Sequence, residues 1–294
     1  MAKVGPFLYW RRMATRQFVK RVLRRGLEMT LPNGSTVYLP AHSGFSSVAW
    51  VTRGAVDDGF EELLRELGKP GTAFFDVGAH FGFYCVFLCD RHAPVVAFEP
   101  DARTIPFLQR NLAGIEGSVC VAAAASDHSG KVQFSACHSS PQSRVLSSES
   151  DQTSSKVLTV DATTLDDTWR RLGEMQVGVM KIDTEGHEIA VLAGAREMIE
   201  TCQPLMLIEA TFRNLSPHCD WLGRLGYVAI VLSPRLHGQS QVVSVVQLDE
   251  LEPAFDEGMI LLVSQQTREC PAWKELAAGR LKFALSPANS TSRR

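Results

Sequence analysis

The 294-residue sequence lacks the marks of a membrane span, a disulfide framework and a polyanionic partner. No stretch reaches the roughly 18 apolar residues that a helix needs to cross a bilayer, and the N-terminus has no apolar core ending in a small-residue cleavage site. The seven cysteines, Cys85, Cys89, Cys120, Cys137, Cys202, Cys219 and Cys270, form an odd set without a CxxC spacing. Most lie inside apolar runs where a small thiol packs well, so neither structural zinc nor a redox pair is expected. These absences predict a soluble, cytoplasmic protein in a reducing compartment. A formal charge of −2 gives no long-range field to attract nucleic acid, and none is expected as a partner. Acid is also missing locally: Met1 to Gly26 holds eight Lys and Arg and no Asp or Glu. With Phe18, Val19, Val22 and Leu23 at helical spacing, the segment predicts a basic amphipathic helix. It is expected to dock on its own domain with its basic face in water. A weak contact with an anionic membrane surface through Phe7, Leu8, Tyr9 and Trp10 is the other reading.

What is present is an alternation of apolar strands and amphipathic helices. Met29 to Pro40 alternates around Asn33-Gly34 and predicts a β-hairpin. Asp57 to Leu67 predicts a helix with Phe60, Leu63, Leu64 and Leu67 on one face and Asp57 or Asp58 as its N-cap. From Ala73 onward, strands at 73–77, 95–98 and 119–124 alternate with helices near 83–90 and 104–112. Such alternation predicts an α/β fold, a mostly parallel sheet with helices on both faces. Further strands are expected at 131–136, 157–160, 177–182, 204–208, 227–232 and 259–263. Helices are expected over 188–200, with Ile189, Leu192 and Ala195 facing inward, and near 218–225. Cys137 to Lys156 carries eight serines and reads as a mobile loop. Arg235 to Gln241 reads as a polar excursion, and Ser286 to Arg294 as a disordered tail. The organisation expected is a helix, hairpin and second helix over 1–70 packed on a core domain of 71–265, followed by a C-terminal helix and tail over 266–294.

Two strand ends about a hundred residues apart, Phe75-Asp76-Val77-Gly78-Ala79-His80-Phe81-Gly82 and Lys181-Ile182-Asp183-Thr184-Glu185-Gly186-His187-Glu188, terminate in acidic residues and glycine just before a helical pattern. In open α/β sheets ligands bind at such ends. Glu99 ends the next strand, 21 residues after Gly78, where a carboxylate can accept two ribose hydroxyls. A nucleoside ligand follows. The turn lacks the second glycine of a dinucleotide fingerprint; His80 stands there, and its side chain would meet a pyrophosphate. Asp76 is better placed for a cationic ligand than for a phosphate. S-adenosyl-L-methionine satisfies both conditions.

With Phe98-Glu99-Pro100-Asp101, Ala125-Ser126-Asp127 and Val191-Leu192-Ala193-Gly194-Ala195, these motifs resemble the FkbM-type methyltransferases over about Thr72 to Ala210. The resemblance implies a Rossmann-like class I methyltransferase fold, with a seven-stranded sheet whose final strand, at 259–263, is antiparallel. It implies S-adenosyl-L-methionine as cofactor and O-methylation of a hydroxyl on a small molecule, sugar or secondary metabolite. Carried across, Asp76, Gly78 and Gly82 would hold the methionine portion, Glu99 the ribose, and Ser126 with Asp127 the adenine edge. Asp183 would sit beside the sulfonium. His80 occupies a position where the family usually shows Asn and is counted with the cofactor-binding residues.

An alcohol attacking a methyl group needs alignment and a nearby base. Asp183, Glu185 and His187 are the catalytic candidates at the strand end, and His has an unperturbed pKa of about 6.5. Glu188 is read as complementing the helix dipole, Lys181 as pairing structurally, and Glu209 as a possible substrate contact. No His-carboxylate spacing demands a metal, although Asp183 and Glu209 are conceivable ligands. The expected partner is a small-molecule or glycan acceptor. The competing readings are a nicotinamide-dependent oxidoreductase, against which stand the missing glycine and the lack of a Tyr-x-x-x-Lys pair, and a catalytically silent nucleoside-binding module.

Overall fold

Near-continuous apolar runs at 73–77 and 177–182, buried on both faces, form neighbouring strands in the interior of the sheet. The computed structural model describes residues 6–57, 59–136, 144–145, 156–232, 243–251 and 257–278. The chain opens with α1 (Pro6–Arg21), the hairpin β1 (Leu27–Thr30) and β2 (Thr36–Leu39), α2 (Gly44–Thr52) and α3 (Phe60–Leu67). Then β3 (Ala73–Val77), α4 (Phe83–Leu88), β4 (Val95–Phe98), α5 (Ile105–Leu112) and β5 (Val119–Val121) alternate. A block of short strands follows: β6 (Ala124–Ala125), β7 (Gly130–Ala136), β8 (Arg144–Val145) and β9 (Lys156–Thr163). Next come α6 (Leu165–Arg171), β10 (Val177–Ile182), α7 (Glu188–Ala193), α8 (Arg196–Cys202), β11 (Leu205–Thr211), α9 (Phe212–Arg224) and β12 (Val228–Leu232). The described chain closes with β13 (Val243–Gln247), β14 (Glu257–Val263), α10 (Gln265–Arg268) and α11 (Pro271–Ala277).

The main sheet has the order β13-β12-β14-β11-β10-β3-β4-β5. The five strands from β11 to β5 are mutually parallel, and β14 lies antiparallel between β11 and β12. This is the Rossmann-like sheet of a class I methyltransferase, with its antiparallel strand at the end of the fold. An eighth strand, β13, extends the edge beyond the seven expected. Alternation along each strand sends Phe74, Val179, Leu205 and Leu207 into one layer, with the hairpin, α3, α4 and α5. Phe75, Met180, Met206 and Ile208 enter the other, with α6, α7, α8 and α9.

Several local expectations differ from the structure. The strand expected over 119–124 stops at Val121; β6 leaves the main sheet to pair with β9 in a separate sheet of order β6-β9-β7-β8. Helix α3 begins at Phe60 with Gly59 as N-cap, and Asp57 instead accepts a hydrogen bond from the Tyr84 hydroxyl. In the hairpin only Gly34 takes a positive φ, +85°, because the turn closes from Leu31 to Ser35, with the Gly34 amide donating to the Leu31 carbonyl at 2.9 Å; the Asn33 side chain donates to the carbonyls of Val86 and Phe87 at 2.9 and 3.0 Å. The helix expected over 188–200 breaks at Gly194–Ala195 into α7 and α8. The inward face of the short α7 is Val191 and Leu192, so Ile189 is left 38% exposed. The Arg235–Gln241 excursion, most of the Ser-rich stretch and the 286–294 tail lie outside the described residues.

Helix α1 docks on its own domain, but two of its arginines turn inward. Arg16 is fully buried and donates from Nη2 to the Pro40 carbonyl at 2.6 Å, while Arg12 Nη1 donates to the Val51 carbonyl at 2.6 Å. The carbonyls of Pro40 and Val51 take up these guanidinium donors, so of the apolar set at helical spacing only Val19 is buried, and Phe18, Val22 and Leu23 stay exposed.

Candidate active site

The strand order reverses between β3 and β10, and the register there pairs Asp76 with Lys181 and Val77 with Ile182. Asp76 therefore lies beside Lys181, with Asp183 one residue past the end of β10. The chain reaches this crevice through a turn that only glycine permits at its first position. Gly78 has φ +80°, and a Cβ there would stand 1.9 Å from the Asp183 carbonyl oxygen. Gly78→Ala is expected to destabilise the fold by about 2 kcal/mol or more, since neither backbone segment can give way. Chemical denaturation would measure the loss, and a variant as stable as wild type would show that the two strand ends can separate.

The same turn presents donors. The amides of Gly78 and Ala79 both donate to the Phe98 carbonyl at 3.0 Å, which ties the turn to the end of β4. The His80 amide donates to Glu99 Oε2 at 2.9 Å, and the Asp101 amide donates to Glu99 Oε1 at 2.8 Å. Glu99 is thus held rigidly, with one oxygen on each backbone donor. Burial pushes its carboxyl up to about 7, against the pull of those two amides. Asp76 is likewise raised by burial, to about 6, although Lys181 and a 3.1 Å hydrogen bond from the Cys85 thiol oppose the shift.

A cation sits among these acids. Lys181 Nζ lies 2.7 Å from Asp183 Oδ2 and 5.1 Å from the centre of the Tyr84 ring. Burial opposes its charge, yet Asp183, Asp76 and Asp57 outweigh that and hold the ammonium above its ordinary pKa. Asp183 is held below the usual carboxylate range: burial works against ionisation, and Lys181 overcomes it. Glu209, near the end of β11, which continues to Thr211 rather than ending at 208, is raised because Asp183 beside it is already charged. One carboxylate oxygen each from Asp183, Glu185 and Glu209 fall within 4.8 Å of one another, a hard-oxygen set of the kind that could also receive a divalent cation. Glu185 reaches this cluster from a left-handed backbone, φ +56°.

The cavity at these strand ends is lined by Asp76, Gly78, His80, Glu99, Asp183 and Glu185, among others. Gly82 sits behind it as the N-cap of α4. Its apolar walls are Phe45, Phe81, Phe98, Ala124, Phe134 and Val145. Ser126, Asp127 and His187, assigned from the sequence to the adenine edge and to base catalysis, do not line it. They are engaged with one another instead: Ser126 Oγ lies 3.0 Å from His187 Nε2 and donates to Asp127 Oδ1 at 3.1 Å. Burial lowers the His187 pKa, and Asp127 carries a 2.7 Å contact to His128 Nδ1. Glu188 does more than complement a dipole. Its Oε1 accepts from the amides of Thr184 and Gly186 and from the Thr184 hydroxyl at 2.9 to 3.2 Å, fixing the loop that carries Asp183.

Sequence reasoning missed the wall made by Phe134 and Val145, because β7 and β8 belong to the separate sheet. It also missed Tyr84 and Asp57 behind Lys181. Their signal is only an apolar helix and a loop acid, which nothing local connects to β10.

Among curated proteins none matches the chain. Similar solved structures include the methyltransferase FkbM from Methylobacillus flagellatus KT, at 18% identity and a TM-score of 0.40, over 65% of this chain and 43% of that one. Fibrillarin from Aeropyrum pernix, with natively bound S-adenosyl-L-methionine, aligns at 13% identity and a TM-score of 0.38 over 70% and 74% of the two chains. A SAM-dependent methyltransferase from Agrobacterium tumefaciens aligns at 9% identity and a TM-score of 0.42 over 82% and 70%. The family described as Methyltransferase FkbM domain matches residues 76–229, from Asp76 at the tip of β3 to β12, which is more than half of the sequence. The chain belongs to the FkbM methyltransferase family.

Proposed function

We propose that the protein uses S-adenosyl-L-methionine to methylate a hydroxyl on a small molecule, sugar or secondary metabolite. The observation that carries the reading is Glu99, buried at the end of β4 with both oxygens already held by backbone amides, across the crevice from the Gly78 turn and Asp76. Each Glu99 oxygen keeps acceptor capacity for a ribose hydroxyl. The apolar walls at Ala124, Ala125, Phe134 and Val145 suit a purine. Asp76 and Asp183 supply negative charge for a cationic ligand, and the Gly78 turn leaves the backbone open to close approach. When bound, the cofactor supplies an electrophilic methyl group on a sulfonium.

The residues of this chain then have one task, to orient the acceptor hydroxyl and hold its proton. Lys181 keeps Asp183 ionised, and Asp183 in turn raises Glu209, so the pair shares a proton near neutrality. In its ionised form, which gains population as pH rises toward about 8, Glu209 suits general-base work and takes the acceptor proton. His187, tied to Ser126, takes no part in this scheme. Six described cysteines are free thiols, which supports a reducing, cytoplasmic setting.

Isothermal titration calorimetry with S-adenosylhomocysteine and with NAD tests the reading without an acceptor. Micromolar binding of S-adenosylhomocysteine alone is expected. Binding of NAD alone would overturn it in favour of an oxidoreductase. For the second step, turnover insensitive to EDTA is expected; loss of turnover on chelation would assign Asp183, Glu185 and Glu209 to a cation rather than to the proton.

A further inference from the structure

The described residues expose eight large apolar side chains, and six of them gather at one edge of the fold: Phe7, Trp10, Phe18, Val22 and Leu23 on or just after α1, and Val48 on α2. At 100° per residue, Phe7, Trp10, Ala14 and Phe18 form one stripe along α1, and Arg11 and Arg21 flank it. Phe7 is 81% exposed and Trp10 60%. Arg11, Arg21, Arg24 and Arg25 are exposed around the stripe, and no acid occurs before Glu28.

An amphipathic helix that merely packed on its domain would turn this stripe inward. Here the opposite face is the one fastened down. Arg16 and Arg12 hold backbone carbonyls at 2.6 Å, Trp50 Nε1 donates to the Arg12 carbonyl at 3.1 Å, and Val19 is buried. The anchoring therefore fixes α1 with aromatic side chains pointing away from the protein among four cations, Arg11, Arg21, Arg24 and Arg25. No described helix is long and apolar enough to cross a membrane, so a lipid contact here is one of lying on the surface.

We propose that α1 is an interfacial helix that seats the protein on an anionic bilayer, its Phe and Trp side chains with the adjoining Val22 and Leu23 entering the acyl boundary and its arginines meeting lipid phosphates. Charge selects this occupant over a second copy of the chain. A two-fold interface through the stripe would bring the same arginines face to face with no acid to answer them.

Flotation of the full-length protein with vesicles tests the proposal. Vesicles of phosphatidylcholine containing phosphatidylglycerol are expected to carry the protein, and vesicles of phosphatidylcholine alone are not. Added salt should weaken the binding, as for any screened surface charge. The variant Phe7→Ser, Trp10→Ser, Phe18→Ser should lose roughly a hundredfold in partitioning. Arg21→Gln with Arg24→Gln should lose about 30-fold at low salt. Unchanged thermal unfolding of both variants confirms that the fold is kept. Failure to float with anionic vesicles, or equal flotation of wild type and the triple-Ser variant, would overturn the proposal. So would a dimer in analytical ultracentrifugation that Phe18→Ser dissociates, since the stripe would then belong to a second copy.

Discussion

Asp183→Asn is expected to lower turnover by about 10²- to 10⁴-fold and to cost roughly 2 to 3 kcal/mol of folding stability, two effects with different origins. The kinetic loss follows from the proton. Without the charge on Asp183, the neighbouring Glu209 loses the group that raises its affinity for a proton and becomes an ordinary, weakly basic carboxylate. The stability loss follows from Lys181, 4% exposed, whose 2.7 Å partner would no longer be charged. The buried ammonium then loses its hydrogen-bonded carboxylate and relies on charges without that contact, Asp76, Asp57 and the newly ionised Glu209. The two effects separate in a double variant. Lys181→Met with Asp183→Asn removes the unpaired cation and should recover most of the stability, while turnover stays low. Urea unfolding measures the first, and transfer of labelled methyl to an accepted substrate measures the second. Full turnover in Asp183→Asn would remove Asp183 from the mechanism, and a double variant no more stable than the single one would show that Lys181 is not the source of the loss.

The sequence disclosed the site most clearly where a single backbone requirement concentrates in a few residues. Gly78 and Glu99 are legible because a strand end, a positive φ and a ribose-spaced carboxylate leave few alternatives, and the structure places both on one cavity. Lys181 was legible as a structural pair because an alternating buried strand leaves an ammonium no other option. Ser126, Asp127 and His187 were not placed by the same reasoning, and they do not line that cavity. Each has the right chemistry near a strand end, but side-chain direction decided the outcome, and His187 turns toward Ser126 rather than toward Asp183. Strand β13 was missed although Val243, Val245 and Val246 favour extended chain, because the polar residues before it masked the change in character. Helix α1 shows a deeper limit. Spacing identified an amphipathic helix, but which face turns inward depended on the Pro40 and Val51 carbonyls, brought there by tertiary structure.

Cofactor affinity is expected to fall by about tenfold per pH unit below roughly pH 7, because binding selects the ionised form of Glu99. In the free protein that carboxyl titrates at about 7, raised by burial. A ribose hydroxyl can donate to the carboxylate, whereas a protonated Glu99 has lost acceptor capacity and must be deprotonated at the expense of binding energy. Below pH 6 the dependence should steepen, since Asp76 titrates at about 6 and faces the same crevice. Stability of the ligand-free protein runs the other way. Both folded pKa values lie above their ordinary values of 4.5 and 3.8, so the contribution of these groups is fully present below those ordinary values and is lost as pH rises through about 6 and 7. The cofactor site is thus least comfortable when it is empty and ionised, and that strain is relieved by a ligand that donates hydrogen bonds to Glu99. Calorimetry with S-adenosylhomocysteine from pH 8 downward checks the first half, and the pH dependence of unfolding without ligand checks the second. Glu99→Gln should weaken binding by about 1 to 3 kcal/mol at pH 8 and flatten the profile between pH 7 and 6. A wild-type affinity that does not change over that interval would separate Glu99 from the ribose and leave the crevice without its principal acceptor.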